Sequence, residues 1–458
     1  MRRSTTIFAL ALSFALLAAL VPASAAPNAL APVSSAVAPA GFTQAARQAC
    51  GAAYAFCRAD AFARRALGGG IAEYSLRLRV GLGEREVIGL HRVVRETSPG
   101  IPARAEKSIF LAHGDAWGFD AAFLSSVASP AVPDAHALPI YLAQRGIDVW
   151  GIDFRWTLLP ADAGNLAELA NWGIQTDARD LGIGLAVARG VRLATGQGNR
   201  KIHLLGWSRG AQTALVYLGA ESQLPPGLRQ TRGAVVVDSF LKTNDPDVKS
   251  AACARLAANE ALLAAGQTAA TSGQLFVAIG TLAETNPSGT SPIAPPFTNR
   301  QTGLLAGSAT YIFLPPGQSF VPLYHFLGGT FDGAGSPTGL TYTSEAHWYD
   351  FLEGASPLEP NRLLADGDAP ICEATDVPFD DHLGDIRVPL LYLGAGGGVG
   401  DFGVYTTTLL GSTDKTVKIV RLHPPADRAL EIGHVDIFTA NDAPTLFWRP
   451  LFDWIEAH

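Results

Sequence analysis

The chain has 458 residues, 48% of them hydrophobic and 16% charged, which excludes an intrinsically disordered chain and a charge-zipped coiled coil. Its 34 Lys and Arg against 41 Asp and Glu give a formal net charge of −7, with no basic run beyond Arg2-Arg3, so no nucleic-acid partner is expected. The length allows several domains, or one large α/β domain carrying an insertion.

Residues 1–25 read as an export signal. Arg2 and Arg3 precede an apolar run from Ile7 to Val21, and Ala23-Ser24-Ala25 supplies a small-x-small cleavage pattern. The run is shorter than the ~20 residues of a comfortable membrane span. The mature chain is therefore expected to lack a membrane span and to be secreted or periplasmic after cleavage near Ala25. Export permits disulfides, and Cys50, Cys57, Cys253 and Cys372 allow three complete pairings. On one continuous helix Cys50 and Cys57 would lie about 10.5 Å apart, beyond the ~7 Å limit for a bridge, so that pair requires a break in the helix. Cys253–Cys372 is the expected bridge, with free buried cysteines as the alternative.

Residues 26–70 form an N-terminal unit. An Ala/Pro/Ser-rich linker leads into an Ala-rich segment, 42–67, expected to be helical up to Gly68-Gly69-Gly70. Glu73–Val80 and Glu86–Val94 then alternate apolar and polar residues, as half-buried antiparallel strands do. From there the pattern changes to short, nearly continuous apolar runs: Ser108–Ala112, Asp148–Ile152, Ile202–Leu205 and Gly233–Val237. Segments with helical spacing, such as Asp134–Gln144 and Gln175–Val191, lie between them. This alternation indicates a mostly parallel central sheet with helices on both faces. It stops after Val237 and resumes at Val388–Leu393 and Val417–Leu422, before a last helix through Trp454. An interval of about 150 residues cannot be a loop between a strand and a helix. The reading is a core in two parts, 71–240 and 386–458, with a large inserted cap over 241–385 that opens on Asp245-Pro246, an N-cap followed by Pro at the first helical position. Within the cap, the apolar stretch 304–327 is broken by Pro315-Pro316-Gly317. It either roofs the site or packs the cap onto the sheet.

Three motifs carry chemistry. Gly206-Trp207-Ser208-Arg209-Gly210 follows an apolar strand and precedes a helical run, the G-x-S-x-G context that lifts a serine hydroxyl clear of the backbone. His113-Gly114-Asp115 follows an earlier strand. The backbone amides of Asp115 and Arg209 are the candidate oxyanion hole, with His113 as a loop brace. Gly433-His434-Val435-Asp436 places His434 after the last strand, where an imidazole can take the serine proton. The acid that orients it must end a strand, and two candidates do so: Asp238 after GAVVV, and Asp401 in the loop after VPLLYL. Asp414 or a cap residue remains open. The Asp401 loop is unusual, since its first turn, Gly394 to Gly400, carries five glycines and no carboxylate.

Together HGD, YLAQRGIDVWGIDFRW, GWSRG, IRVPLLYL and GHVDIF resemble the α/β-hydrolase superfamily, and within it a secreted lipase/esterase branch that includes the acid lipases. Asp148-Val149-Trp150 with Arg155 is similar to a pattern of that branch. Trp207 departs from it, because acid lipases usually carry a histidine before the serine. The resemblance implies a covalent acyl-enzyme on Ser208, a small-molecule or lipid ester as substrate, and no cofactor. A peptidase or amidase on the same fold and a non-catalytic binding protein are the alternatives. Asp380, Asp381 and His382 could ligate a metal ion, but they read as a polar loop before a strand.

Overall fold

The computed structural model describes residues 40–458; the export-signal and linker readings lie outside them. The first described element is helix α1 (Ala40–Ala53), which ends well before Gly68. The expected continuation to residue 67 is corrected here: Arg58–Ala66 is a strand, β1, paired antiparallel with β2 (Ile71–Arg79). Alanine favours helix, but that preference is small and tertiary pairing overrides it. On β1, Arg64 donates from Nε to Glu96 at 2.9 Å and Arg65 to Glu73 at 2.8 Å, contacts a helix there would not make. The helix break brings Cys50 and Cys57 to a Cα separation of 5.2 Å, and they are bridged. Cys253 and Cys372 form the second disulfide, as expected.

Strand β3 (Val87–Ser98) continues the antiparallel edge and pairs with β5 (Asp148–Asp153). From β5 onward the sheet is parallel, through β4 (Ser108–Ala112), β6 (Ile202–Trp207), β7 (Thr231–Val237), β8 (Leu390–Ala395) and β9 (Lys415–Val420). The spatial order is β1-β2-β3-β5-β4-β6-β7-β8-β9. Alternate side chains of each inner strand enter different cores. Ile109, Leu111, Leu205 and Trp207 pack on one face, and Phe110, Ala112 and Leu204 on the other. The second face is covered by α2 (Ile174–Ala194) and α3 (Arg209–Ser222), which explains why the strands read as continuous apolar runs.

Between β7 and β8 lie α4 (Pro246–Ala264), α5 (Ser272–Thr285), α6 (Asn299–Ser308), α7 (Glu345–Glu353) and α8 (Asn361–Cys372). Asp245 caps α4, accepting from the amides of Asp247 at 2.9 Å and Val248 at 3.0 Å, with Pro246 at the first helical position. The Cys253–Cys372 disulfide ties α4 to α8.

One ion cluster is fully inside the core. Asp148 opens β5 and receives Arg92 Nε at 2.8 Å, Arg92 Nη2 at 3.0 Å and the Arg192 guanidinium. Burial alone would raise the Asp148 carboxyl, but the two guanidiniums outweigh it and hold it below the ordinary carboxylate range. That contribution is in place above pH ~4 and is lost as pH falls toward the lowered native value. Asp148→Asn strands two buried cations, so we expect urea unfolding to show a loss of about 3–5 kcal/mol. A loss below about 1 kcal/mol would mean that the arginines find other acceptors.

Candidate active site

β6 ends at Trp207 and α3 begins at Arg209, leaving Ser208 alone in the turn at φ 55 and ψ −126. A side chain held in that region is strained, and the turn persists because its neighbours admit no alternative. A Cβ on Gly206 would run into the backbone of Gly210 and Ala211, and one on Gly210 into the carbonyls of Ala112 and His113. A Cβ on Gly114 would lie 2.7 Å from Ser208 Cβ, so the His113-Gly114-Asp115 loop passes directly against the serine. His113 acts as a brace: Nδ1 lies 2.9 Å from the Gly114 carbonyl, and Nε2 accepts from Phe154 N at 3.3 Å. Burial pushes its imidazole down, consistent with a neutral ring.

The structure separates the two candidate acids. Asp238 Oδ2 lies 2.7 Å from His434 Nδ1, and the Asp238 side chain is 0% exposed. Asp401 is the corrected alternative: its side chain is 60% exposed and paired with Arg421, so it does not reach the imidazole. Asp414 faces His458 at 3.2 Å instead. The glycine run that made the Asp401 loop unusual serves Asp238. Ala395 N and Gly400 N donate to Oδ1, and Val399 N donates to Oδ2, each at 2.9 Å. A Cβ at Gly398 would collide with that carboxylate, and Gly400 turns the loop at φ +53. Asp238 itself sits at φ 46.

With Nδ1 engaged, Nε2 is the nitrogen left to serve as base. Among the described residues no hydrogen bond joins it to the Ser208 hydroxyl, a separation that commonly shortens when substrate binds. His434 and Ser208 line one cavity of about 30 Å³, room for roughly two waters. One wall is polar: Arg209 Nε and Nη2 fork onto the Asp115 carboxylate at 3.0 and 3.2 Å, and Arg209 Nη1 donates to Gln212 at 2.6 Å. The fork pins the loop that carries the Asp115 amide to the helix that carries the Arg209 amide. Arg209 is the first residue of α3, so its N–H has no intrahelical acceptor, and among the described residues no backbone hydrogen bond consumes that of Asp115. Glu359 lies buried behind this pair; burial and the Asp115 charge push its carboxyl well above the usual range.

The opposite wall is apolar, with Phe240, Phe320, Tyr324, Ile371 and Val399. Within the stretch 304–327, Leu304, Leu305, Val321 and Leu327 are buried core, whereas Phe320 and Tyr324 line the cavity. Phe320 is held by a residue that no sequence motif signals. Arg255 of α4 donates from Nη2 to Asp368 of α8 at 2.6 Å and from Nη1 to the carbonyls of Gln318 at 3.0 Å and Ser319 at 3.2 Å. Its guanidinium lies over the Phe320 ring at 4.6 Å. Asp436, two residues past the imidazole, accepts from Gly433 N and Gly328 N at 2.8 Å and from the Thr343 hydroxyl at 2.7 Å. Burial pushes its carboxyl up to about 6.

Two further clusters are ion-pair networks. Asp380 is bound by Lys242 at 2.7 Å and His382 by Asp385 at 3.2 Å, so these residues do not converge on a metal position. Glu73, His91 and Asp120 do converge, but the His91 ring lies between Glu73 at 2.7 Å and Asp153 at 2.9 Å. Arg65 also bonds Glu73 and Asp120. Burial would lower the His91 imidazole, and Asp153 and Glu73 outweigh it, raising it to about 10. An imidazolium beside a guanidinium already supplies the cationic charge.

A nucleophile elbow after a parallel strand, on a mostly parallel sheet covered by helices, defines an α/β-hydrolase fold. No protein-family model and no curated protein matches the sequence. Among solved structures, a candidate lipase from Sulfolobus solfataricus shares the fold at a TM-score of 0.56 and 18% identity, over 85% of this chain and 95% of that one. A soluble variant of the monoglyceride lipase of Saccharomyces cerevisiae aligns at 11% identity and a TM-score of 0.41, over 81% and 92% of the two chains, too loosely to carry an argument.

The geometry makes Asp238 and Asp401 separable by substitution. Asp238→Asn should lower turnover of an activated ester by roughly 10⁴, because an amide has one acceptor atom where the carboxylate has two, so its NH2 must face either the Val399 and imidazole N–H groups or those of Ala395 and Gly400. Asp401→Asn should leave it within about twofold, as for an exposed ion pair. The reverse ranking would return the acid role to Asp401.

Proposed function

We propose that the protein is a serine hydrolase of carboxylic esters, of lipase or esterase type. The observation that carries this is the convergence of Ser208 in a strained elbow, His434 oriented by buried Asp238, and two amides, all around one cavity. In the reaction, His434 Nε2 takes the Ser208 proton as Oγ bonds to the ester carbonyl carbon, and the carbonyl electron pair moves onto oxygen. The Asp115 and Arg209 amides receive that oxyanion. The tetrahedral centre then expels the alcohol, which leaves with the proton from Nε2, and an acyl-enzyme remains. Water repeats the sequence and releases the acid.

Residues 241–385 act in this reading as a cap, with Phe320 and Tyr324 over the nucleophile. The chain is exported: residues 1–25 carry the signal pattern, and two disulfides fit an oxidising compartment. The polar wall of Asp115, Arg209, Gln212 and Asp368 keeps one second reading in play, a peptidase or amidase that holds a polar group there. p-Nitroanilide substrates run beside the esters decide between them.

Ser208→Ala should abolish both ester turnover and fluorophosphonate labelling, losing many orders of magnitude while the circular-dichroism spectrum stays unchanged. Equal turnover by the variant and the parent would sink the assignment. The cap makes a separate forecast about chain length. Each buried methylene contributes about 0.8 kcal/mol, so kcat/KM should rise from acetate toward medium-chain p-nitrophenyl esters. Because Arg255 holds Phe320 against the cavity, Arg255→Met should favour the longer esters further, and Phe320→Asp should flatten the series. A profile indifferent to both substitutions would make this segment plain packing.

A further inference from the structure

Trp207 is the residue of the elbow motif that the reaction above does not use. It ends β6, is 1% exposed, and its indole lies under the His434 ring with centroids 5.0 Å apart and planes 28° apart. Phe438 and Phe123 meet the indole edge-on at 5.1 and 6.4 Å and fix its plane. Tyr324 and Phe326 close on the same imidazole at 5.4 and 6.2 Å. The base is thus surrounded by aromatic rings, with Asp238 as its only directly bonded charge among the described residues.

Such a box strips water from the imidazole, which by itself disfavours the imidazolium that proton transfer from Ser208 creates. An aromatic face acts the other way: its negative quadrupole attracts a cation within about 6 Å of the ring centroid, most strongly for Trp and most strongly without water. Among the described residues the indole Nε1–H is buried without a hydrogen-bond partner, as are those of Trp150 and Trp454, so what Trp207 offers this site is its ring face and not its donor.

We infer that Trp207 is a positioning residue for the base, whose indole face holds the His434 ring and attracts the imidazolium formed while the Ser208 proton is on Nε2. The inference rests on the serine-hydrolase reading for its catalytic meaning. Among the described residues, the charged and titratable groups that share the cavity with His434 are Asp238 at Nδ1, the Tyr324 phenol from the inserted segment, the Asp115–Arg209 pair and Asp368. All of them stay in place when only the π density of Trp207 is changed.

The test is site-specific replacement of Trp207 in the full chain by mono-, di- and trifluorotryptophan, which drain the ring quadrupole at nearly constant shape. Two readouts are followed: kcat/KM for a p-nitrophenyl ester across pH, and the NMR titration of the His434 ring protons. We expect log kcat/KM to fall stepwise with fluorination, by about tenfold across the series, as for a desolvated cation–π contact. The acid limb of the rate profile and the ring titration midpoint should both move progressively to lower pH. A flat response in either readout overturns the inference. A midpoint that falls in a protein whose Ser208→Ala variant is as active as the parent would instead remove the hydrolase reading and leave the ring contact standing.

Discussion

The Asp238 carboxylate is the point on which the site depends. It lies at the end of β7 in a left-handed backbone conformation, with no exposure to solvent, and four donors converge on it. Three are amides of the β8 loop and the fourth is the His434 ring. A buried carboxylate is costly unless its acceptor sites are filled, and charge-assisted bonds of this kind are the strong ones. The same bonds therefore neutralise the burial cost, fix the path of the glycine-rich loop and set the imidazole. Neither the loop nor the base holds its place without that group.

The other side of the cavity rests on two arginine forks. Arg209 joins the His113–Asp115 loop to α3 through Asp115, and Arg255 joins α4, α8 and the Gln318–Ser319 loop through Asp368 and two carbonyls. Guanidinium suits both places because its planar fork satisfies a carboxylate and still has donors left for a further acceptor. The disulfide two residues from Arg255 and at the end of α8 stiffens the platform from which the roof is held. Phe320 and Tyr324 thus line the cavity beside a strained Ser208, and the helix pair holds the loop that carries Phe320.

Much of this was legible in the residues. The elbow read correctly because a strand, two small residues and a helix leave the serine no other local geometry. The parallel sheet read correctly because strands buried on both faces lose their polar alternation. The first strand did not: Arg58–Ala66 is rich in alanine, and its strand state depends on Glu73 and Glu96, which are distant partners. Arg255 and the ring stack of Trp207 on His434 were invisible for the same reason, since their partners lie 113 and 227 positions away along the chain.

By itself, then, the sequence determined the quantities that are local or periodic: a mostly parallel sheet, the tight strand-to-helix turn at Ser208, the histidine before the last helix, and the long helical interval after β7. Only the tertiary structure decided which carboxylate faces the imidazole, because Asp238 and Asp401 both follow strands and differ only in where three amides point. Burial made the choice. A carboxylate can enter the interior only where donors await it, and the β8 loop supplies them to Asp238 while Asp401 stays in water beside Arg421.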